Sequence, residues 1–254
     1  MTPDLTLILP AYNEAKRIRN TIEEAIAFLK SQQYSYQIIV AADGNDGTRE
    51  IVREMSKSDP NIEVCGHEER LGKGRGVREA VEKARGAYIG YADADNKVPI
   101  DELKKVMAAL IEGFPVVIGS RAMNQSQIEK RQPLYRQIGS MGFHVFMQTV
   151  VGLPGITDSQ CGFKFFRQDV AKRIFRTQKI DGYMFDVEIL ALAARFGYSI
   201  AQIPIRWRDD GDSRLDLVAG NIRNVKDILR IRLSLMREPR VSPALKSRVV
   251  TKSS

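Results

Sequence analysis

Asp93-Ala94-Asp95 stands one residue after the apolar run Ala87-Tyr88-Ile89-Gly90-Tyr91. Two carboxylates one residue apart at the end of a buried strand repel each other and lose hydration. A divalent cation resolves both costs, because hard oxygen ligands suit Mg2+ or Mn2+. Mg2+ commonly takes one or two protein carboxylates and completes its shell with substrate phosphates. The pair therefore points to an enzyme that handles a phosphorylated donor. The competing reading is a turn closed by an Asx hydrogen bond, so the pair is weighed with its surroundings.

The elements that must position it alternate between strand and helix. Leu5–Leu9 is a short apolar strand stopped by Pro10, and Ala15–Leu29 carries a helical stripe of Ile18, Ile22, Ile26 and Leu29. Further strands are predicted at Gln37–Ala41, Asn61–Cys65, Ala87–Tyr91 and Val116–Gly119, with helices at Thr48–Met55, Val77–Ala84 and Asp101–Ile111. Strands apolar on both faces, alternating with helices, imply a mostly parallel sheet covered on both sides. Ligands bind such sheets at the carboxyl ends of the strands. Pro10–Glu14, Asp43–Thr48, Asp93–Asn96 and Ser120–Arg121 all begin where a strand ends. Downstream, Phe185–Phe196 reads as an amphipathic helix, Ile200–Trp207 as a strand and Leu217–Leu235 as a basic helix. Residues 132–152 are apolar with few charges and read equally as a core helix or as one lying in a membrane interface.

A chain of 254 residues is long enough for one large α/β domain. We expect that domain over residues 1–238, followed by a basic flexible tail over 239–254. Two distant cysteines, Cys65 and Cys161, argue against a disulfide scaffold or zinc site and fit a reducing cytosol. The first residues lack the pattern of a signal peptide, and no apolar run is long enough for a spanning helix. The formal charge of +8 calls for an anionic partner. Nucleic acid is disfavoured, since the basic residues are dispersed, aromatics are few and no RNA-binding or zinc-finger signature occurs. From Arg230 to Ser254 seven Lys or Arg stand against one acid, Glu238, which suits an anionic membrane surface as well as a solvated tail.

Tyr12 and Glu14 offer a ring and a carboxylate for a nucleoside, and Asp43 lies in a glycine-bearing turn where it could meet a base edge. Gly72-Lys73-Gly74-Arg75-Gly76 matches neither a P-loop nor a dinucleotide fingerprint and reads as a loop near donor phosphates. His67 and His144 lack metal-ligand spacing. Taken in order with Asp93-Ala94-Asp95 and Gly119-Ser120-Arg121, these motifs resemble the inverting nucleotide-sugar glycosyltransferases of family 2, with the GT-A fold. The resemblance runs from about residue 4 to 232. Thr157–Lys164, Phe185-Asp186-Val187-Glu188, Arg206-Trp207-Arg208 and Gly211–Leu215 look like the polyprenyl-phosphate sugar synthases. The dolichyl-phosphate β-glucosyltransferase branch is nearer than the mannosyl one, on Gln160–Lys164 and Gly142–His144.

The resemblance implies an α/β GT-A domain and a metal-dependent hexosyltransferase. It implies transfer of glucose from UDP-glucose to a polyprenyl phosphate by a peripheral protein at the cytoplasmic membrane face. GDP-mannose as donor, a soluble hydroxyl acceptor, and a non-catalytic binding module are the alternatives. It implies a donor-binding set of Pro10, Tyr12, Glu14, Ala41, Asp43, Lys73, Asp93, Ala94, Asp95, Arg121, Arg208 and Arg214. Asp93 and Asp95 would hold Mg2+ or Mn2+, and Arg131 or Arg136 the acceptor phosphate. Asp158 is the first candidate for orienting or assisting the acceptor, with Asp186 and Glu188 behind it and Arg121 on the metal-bound phosphates. Two positions depart from the family pattern. Ala42 stands where an aspartate is usual, and Lys97 stands where mannosyl synthases carry a metal-supporting glutamine.

Overall fold

The computed structural model describes residues 2–123, 127–128, 149–208 and 219–239. Nine strands occur among them: β1 (Leu5–Tyr12), β2 (Tyr36–Asp43), β3 (Ile62–Cys65), β4 (Tyr88–Ala92), β5 (Val116–Ser120), β6 (Gln127–Ile128), β7 (Phe163–Arg167), β8 (Ile200–Pro204) and β9 (Arg206–Trp207). The helices are α1 (Ile18–Ser31), α2 (Thr48–Ser58), α3 (Lys73–Lys83), α4 (Leu103–Ile111), α5 (Gln168–Thr177), α6 (Phe185–Arg195) and α7 (Ala219–Arg237).

Seven strands form one sheet in the order β3-β2-β1-β4-β7-β5-β8, and β6 pairs with β9 beside it. All ladders of the large sheet are parallel except those of β7, which runs antiparallel between β4 and β5. Side chains alternate across the sheet, as strand geometry requires. Leu5, Leu7 and Leu9 pack with Ile22 of α1, Val52 of α2 and Val106 of α4 on one face. Ile8 and Ile39 pack with Val77 of α3, Val170 of α5, Leu190 of α6 and Ile228 of α7 on the other. The result is a three-layer α/β/α domain with two cores, as the apolar strand runs require.

Several expected boundaries move, each for a local reason. β1 continues through Pro10 to Tyr12. Its ladder with β4 ends at Ile8↔Tyr91 while that with β2 runs on to Tyr12↔Asp43, so Pro10 has a strand on one side only, where a missing N–H is tolerated. Gly72–Gly76 is not a loop: α3 starts at Lys73. A Cβ on Gly74 would lie 2.4 Å from the Ile180 carbonyl oxygen and 2.6 Å from Phe185 Cβ, so the glycine permits α3 to press on the segment entering α6. α6 is not amphipathic, since Phe185–Ala193 is buried throughout. The strand expected over Ile200–Trp207 divides into β8 and β9, and β7 and α5 have no counterpart among the predicted elements. Of the apolar stretch 132–152, only residues 149–152 are described, and Val151 there is buried. The tail from 240 onward lies outside the described residues.

Candidate active site

The carboxyl ends of β1, β2, β4 and β5 deliver Tyr12, Asp43, Asp93 and Arg121 to one edge of the sheet. Because β7 is antiparallel, its entering turn reaches the same edge and adds Asp158, Cys161 and Gly162. One clustering of polar groups thus draws on segments from residue 10 to residue 208.

At the β1–β2 corner Asp43 is buried, and its two oxygens accept the backbone N–H groups of His67 at 3.2 Å and Leu71 at 2.8 Å. That holds the 66–71 loop over the corner. Thr48 accepts from the Glu14 N–H at 3.0 Å, and Asp46 accepts from Ala15 N–H at 2.9 Å. Burial raises the Asp46 carboxyl, but the bonds from Thr48 and the backbone outweigh it and hold the group below the usual carboxylate range. The Arg70 guanidinium lies 4.3 Å from the Tyr12 ring centroid and donates to the Tyr183 hydroxyl at 2.8 Å. Arg70 thus links the Tyr12 ring to Tyr183 in one aromatic and cationic cluster. Ala41 packs in the core beneath this corner, and the Ala94 carbonyl accepts the Thr21 hydroxyl at 2.9 Å.

Both carboxylates of the Asp93/Asp95 pair face lysines. Lys73 Nζ lies 2.6 Å from Asp93 Oδ1 and 3.9 Å from Asp186, and Lys97 Nζ lies 3.6 Å from Asp95 Oδ2. Burial, followed by the charge of Asp93, raises the Asp95 carboxyl above its ordinary value. Lys73 is held protonated, because the charges of Asp93 and Asp186 overcome the burial that would otherwise depress it. Gly162 accommodates Asp93: a Cβ there would lie 2.1 Å from Asp93 Oδ2. No third His, Cys, Asp or Glu joins the pair as a potential metal ligand among the described residues. Two carboxylates fit a cation that shares its shell with a diphosphate, and do not fit a self-sufficient protein metal site.

Arg121 and Asp158 form a bidentate pair, Nε to Oδ2 at 2.7 Å and Nη2 to Oδ1 at 2.9 Å, and the Arg121 N–H also donates to Oδ2 at 3.0 Å. Asp158 is buried, which would raise its carboxyl, but Arg121 overcomes this and holds it low. Both oxygens are engaged, so the geometry makes Asp158 an anchor for Arg121. The guanidinium lies 5.6 Å from the Trp207 ring centroid, and the Arg208 N–H donates to the Lys97 carbonyl at 2.9 Å.

Asp186 is buried, bonded to the Tyr91 hydroxyl and to the fully buried Lys164. Lys164 also donates to the Cys161 carbonyl at 2.6 Å. Burial pushes the Cys161 thiol up to about 12, leaving it a neutral packing group. Glu188 accepts the backbone N–H groups of Lys179 and Ile180 at 2.8–3.1 Å, and its carboxyl is raised by burial. The geometry thus gives Asp186 and Glu188 anchoring bonds in the second core. Arg131, Arg136 and Arg214 lie outside the described residues. Sequence reasoning missed Arg70, which lies over Tyr12, and Tyr183, which Arg70 bonds, and it gave no role to Lys164 and Trp207.

The family model for "Glycosyl transferase family 2" matches residues 6–175, which contain the β1, β2, β4 and β5 ends of this edge. The chain belongs to glycosyl transferase family 2. It is a glycosyltransferase, as the resemblance of its motifs implied. Among curated relatives of this family 2 enzyme is a dolichyl-phosphate beta-glucosyltransferase of Dictyostelium discoideum, 36% identical over 241 residues, 90% of this chain and 73% of the relative. The human dolichyl-phosphate beta-glucosyltransferase is 30% identical over 91% of this chain and 76% of its own. The structure resembles glucosyl-3-phosphoglycerate synthase from Mycobacterium tuberculosis in complex with Mn2+, UDP and phosphoglyceric acid (TM-score 0.65, 16% identity, 93% of this chain and 80% of that one). It also resembles mannosyl-3-phosphoglycerate synthase from Rubrobacter xylanophilus (TM-score 0.61, 18% identity, 92% and 72%). At these identities the likeness shows the GT-A fold alone.

Proposed function

We propose that this family 2 glycosyltransferase moves glucose, with inversion, from UDP-glucose to a polyprenyl phosphate of dolichyl type, at the cytoplasmic face of a membrane. One observation carries the reading. The edge that gathers Asp43, Asp93, Asp95 and Arg121 belongs to a chain 36% identical to a protein named dolichyl-phosphate beta-glucosyltransferase.

The residues divide the work by position. Tyr12 with Arg70 and Tyr183, Glu14 and the Asp43 corner would receive the nucleoside. Asp93 and Asp95 would hold Mg2+ or Mn2+, which supplies positive charge to the donor diphosphate when bound. Lys73 and Lys97, now on those carboxylates, would turn toward the phosphates. Arg121 and Arg208 would add charge for the two phosphate-bearing substrates, Arg121 through a fork that Asp158 holds in orientation. A phosphate monoester has a second pKa near about 6 and is largely a dianion at neutral pH. It can therefore attack the sugar without a strong base, and positioning carries most of the rate. That agrees with an Asp158 whose oxygens are occupied by Arg121.

The test is a transfer assay. Purified protein, Mn2+ and a phosphorylated polyprenol are offered labelled UDP-glucose and labelled GDP-mannose separately, with Asp95→Ala as control. Label entering the organic phase from UDP-glucose, and lost in the variant, is the expected result. Label from GDP-mannose alone would exchange the donor. Transfer to a water-soluble hydroxyl acceptor with none to lipid would overturn the reading.

A further inference from the structure

Helix α7 carries two apolar stripes. Ile228, Ile231 and Leu235 are buried against the domain, where α7 packs on α6. Val225, Leu229, Leu233 and Met236 are 37%, 50%, 61% and 67% exposed. At 3.6 residues per turn these four fall in one band about 80° wide, turned well away from the packed stripe. They are four of the six large hydrophobic side chains exposed among the described residues, so the clustering is not the ordinary scatter of surface apolar groups. Lys226, Arg230 and Arg237 border the band on one side and Arg232 on the other, all exposed. The acid of the helix, Asp227, is buried at the packed face and 3.2 Å from Arg230. Arg195 donates to the Glu238 carbonyl at 2.9 Å from Nε, which pins the end of α7 to the domain.

We propose that the outward face of α7 docks the enzyme flat on an anionic lipid surface. The inference deepens the function proposed above and rests on it for the choice of a bilayer over a second copy of the chain. Charge favours the same choice: a symmetric pairing of this face would set its basic borders against each other, whereas an anionic surface neutralises them. Leucine and methionine side chains would sink into the headgroup boundary while lysine and arginine stems reach back to the phosphates. No described helix is long and apolar enough to cross a membrane, so α7 would lie on the surface. Held rigidly by α6 and Arg195, it would fix the orientation of the whole domain toward its lipid-borne acceptor.

The experiment is co-sedimentation of the full chain with vesicles of phosphatidylcholine, alone or mixed with phosphatidylglycerol. Two variants are compared, Leu229→Ser/Leu233→Ser/Met236→Ser and Lys226→Glu/Arg237→Glu. All changed residues are exposed, and thermal melting checks that each variant folds. The native chain is expected to bind mixed vesicles and not the neutral ones. The apolar triple should weaken binding about a hundred-fold and the charge double on the order of thirty-fold or more. Transfer to a short-chain acceptor in detergent should be unchanged in both, and that readout reports the proposed function separately. Absence of binding by the native chain would overturn the docking proposal, as would equal binding by both variants. So would a native dimer that the triple dissociates. Loss of transfer with vesicle binding intact would instead strike the proposed function.

Discussion

Lys97 places an ammonium 3.6 Å from Asp95, on one of the two carboxylates a divalent ion would use. Any ion that binds there must displace it, and a pair with its charges partly in solvent is worth about 1 kcal/mol at most. Lys97→Met should therefore raise the affinity for Mn2+ about five-fold in the absence of nucleotide, where the lysine has no phosphate to turn to. Electron paramagnetic resonance of free Mn2+ measures this directly, and an unchanged affinity would mean that Lys97 swings clear at no cost. Lys97 could be singled out from the sequence, because it stands two residues after Asp95 and four after Asp93, where mannosyl synthases carry a glutamine. The equivalent pairing of Lys73 with Asp93 at 2.6 Å could not. It depends on α3 beginning at Lys73 rather than several residues later, and so on the fit of Gly74 against Ile180 and Phe185. Arg121 was recognisable as a phosphate-type arginine, but its bidentate hold on Asp158 joins residues 37 apart in a turn that has no periodicity to read.

At the level of elements, β1, β2, β4 and β5 were readable because both faces of each are covered, which leaves an uninterrupted apolar run. β7 was not. It reads Phe-Lys-Phe-Phe-Arg, and a lysine in such a run suggests a solvent-facing position. In the sheet Lys164 lies opposite Tyr91 on one side and Ile118 on the other, and it points into the second core. What makes that tolerable is Asp186, 22 residues later on α6, which takes its charge. A buried pair of this kind contributes little over an apolar pair but is costly to break, because one charge is left stranded. Lys164→Met alone should lower the unfolding free energy by about 3–5 kcal/mol. Lys164→Met with Asp186→Leu should recover at least half of that loss. Urea unfolding of the three proteins decides it. If the double variant is no more stable than the single, the bonds of Asp186 to Tyr91 and its approach to Lys73 hold the strand-to-helix contact independently of Lys164.

Over the whole molecule, the candidate site has no body of its own. It is an edge where β1, β2, β4, β5 and the turn into β7 meet, with Arg208 tied in through the Lys97 carbonyl. Its acids and lysines currently neutralise one another across that edge, Lys73 on Asp93 and Lys97 on Asp95. A nucleoside diphosphate and a cation arriving together would satisfy all four: the cation takes the aspartates and the lysines are released to the phosphates. Either component alone would satisfy half and strand the rest. The two should therefore bind with positive coupling, and their joint binding should stabilise the folded chain. A ligand at about 100 times its dissociation constant adds about 2.7 kcal/mol, which in a domain of this size raises the melting temperature by roughly 5–10 °C. UDP with Mn2+ should produce that rise, whereas UDP alone or Mn2+ alone should produce well under half of it. Asp95→Ala should remove the excess given by the combination while leaving the melting temperature of the unliganded protein within a few degrees. Differential scanning fluorimetry reads all of these in one series. A full shift with UDP alone, unchanged in Asp95→Ala, would mean that the nucleotide is held by the arginines and Tyr12 without help from the aspartate pair.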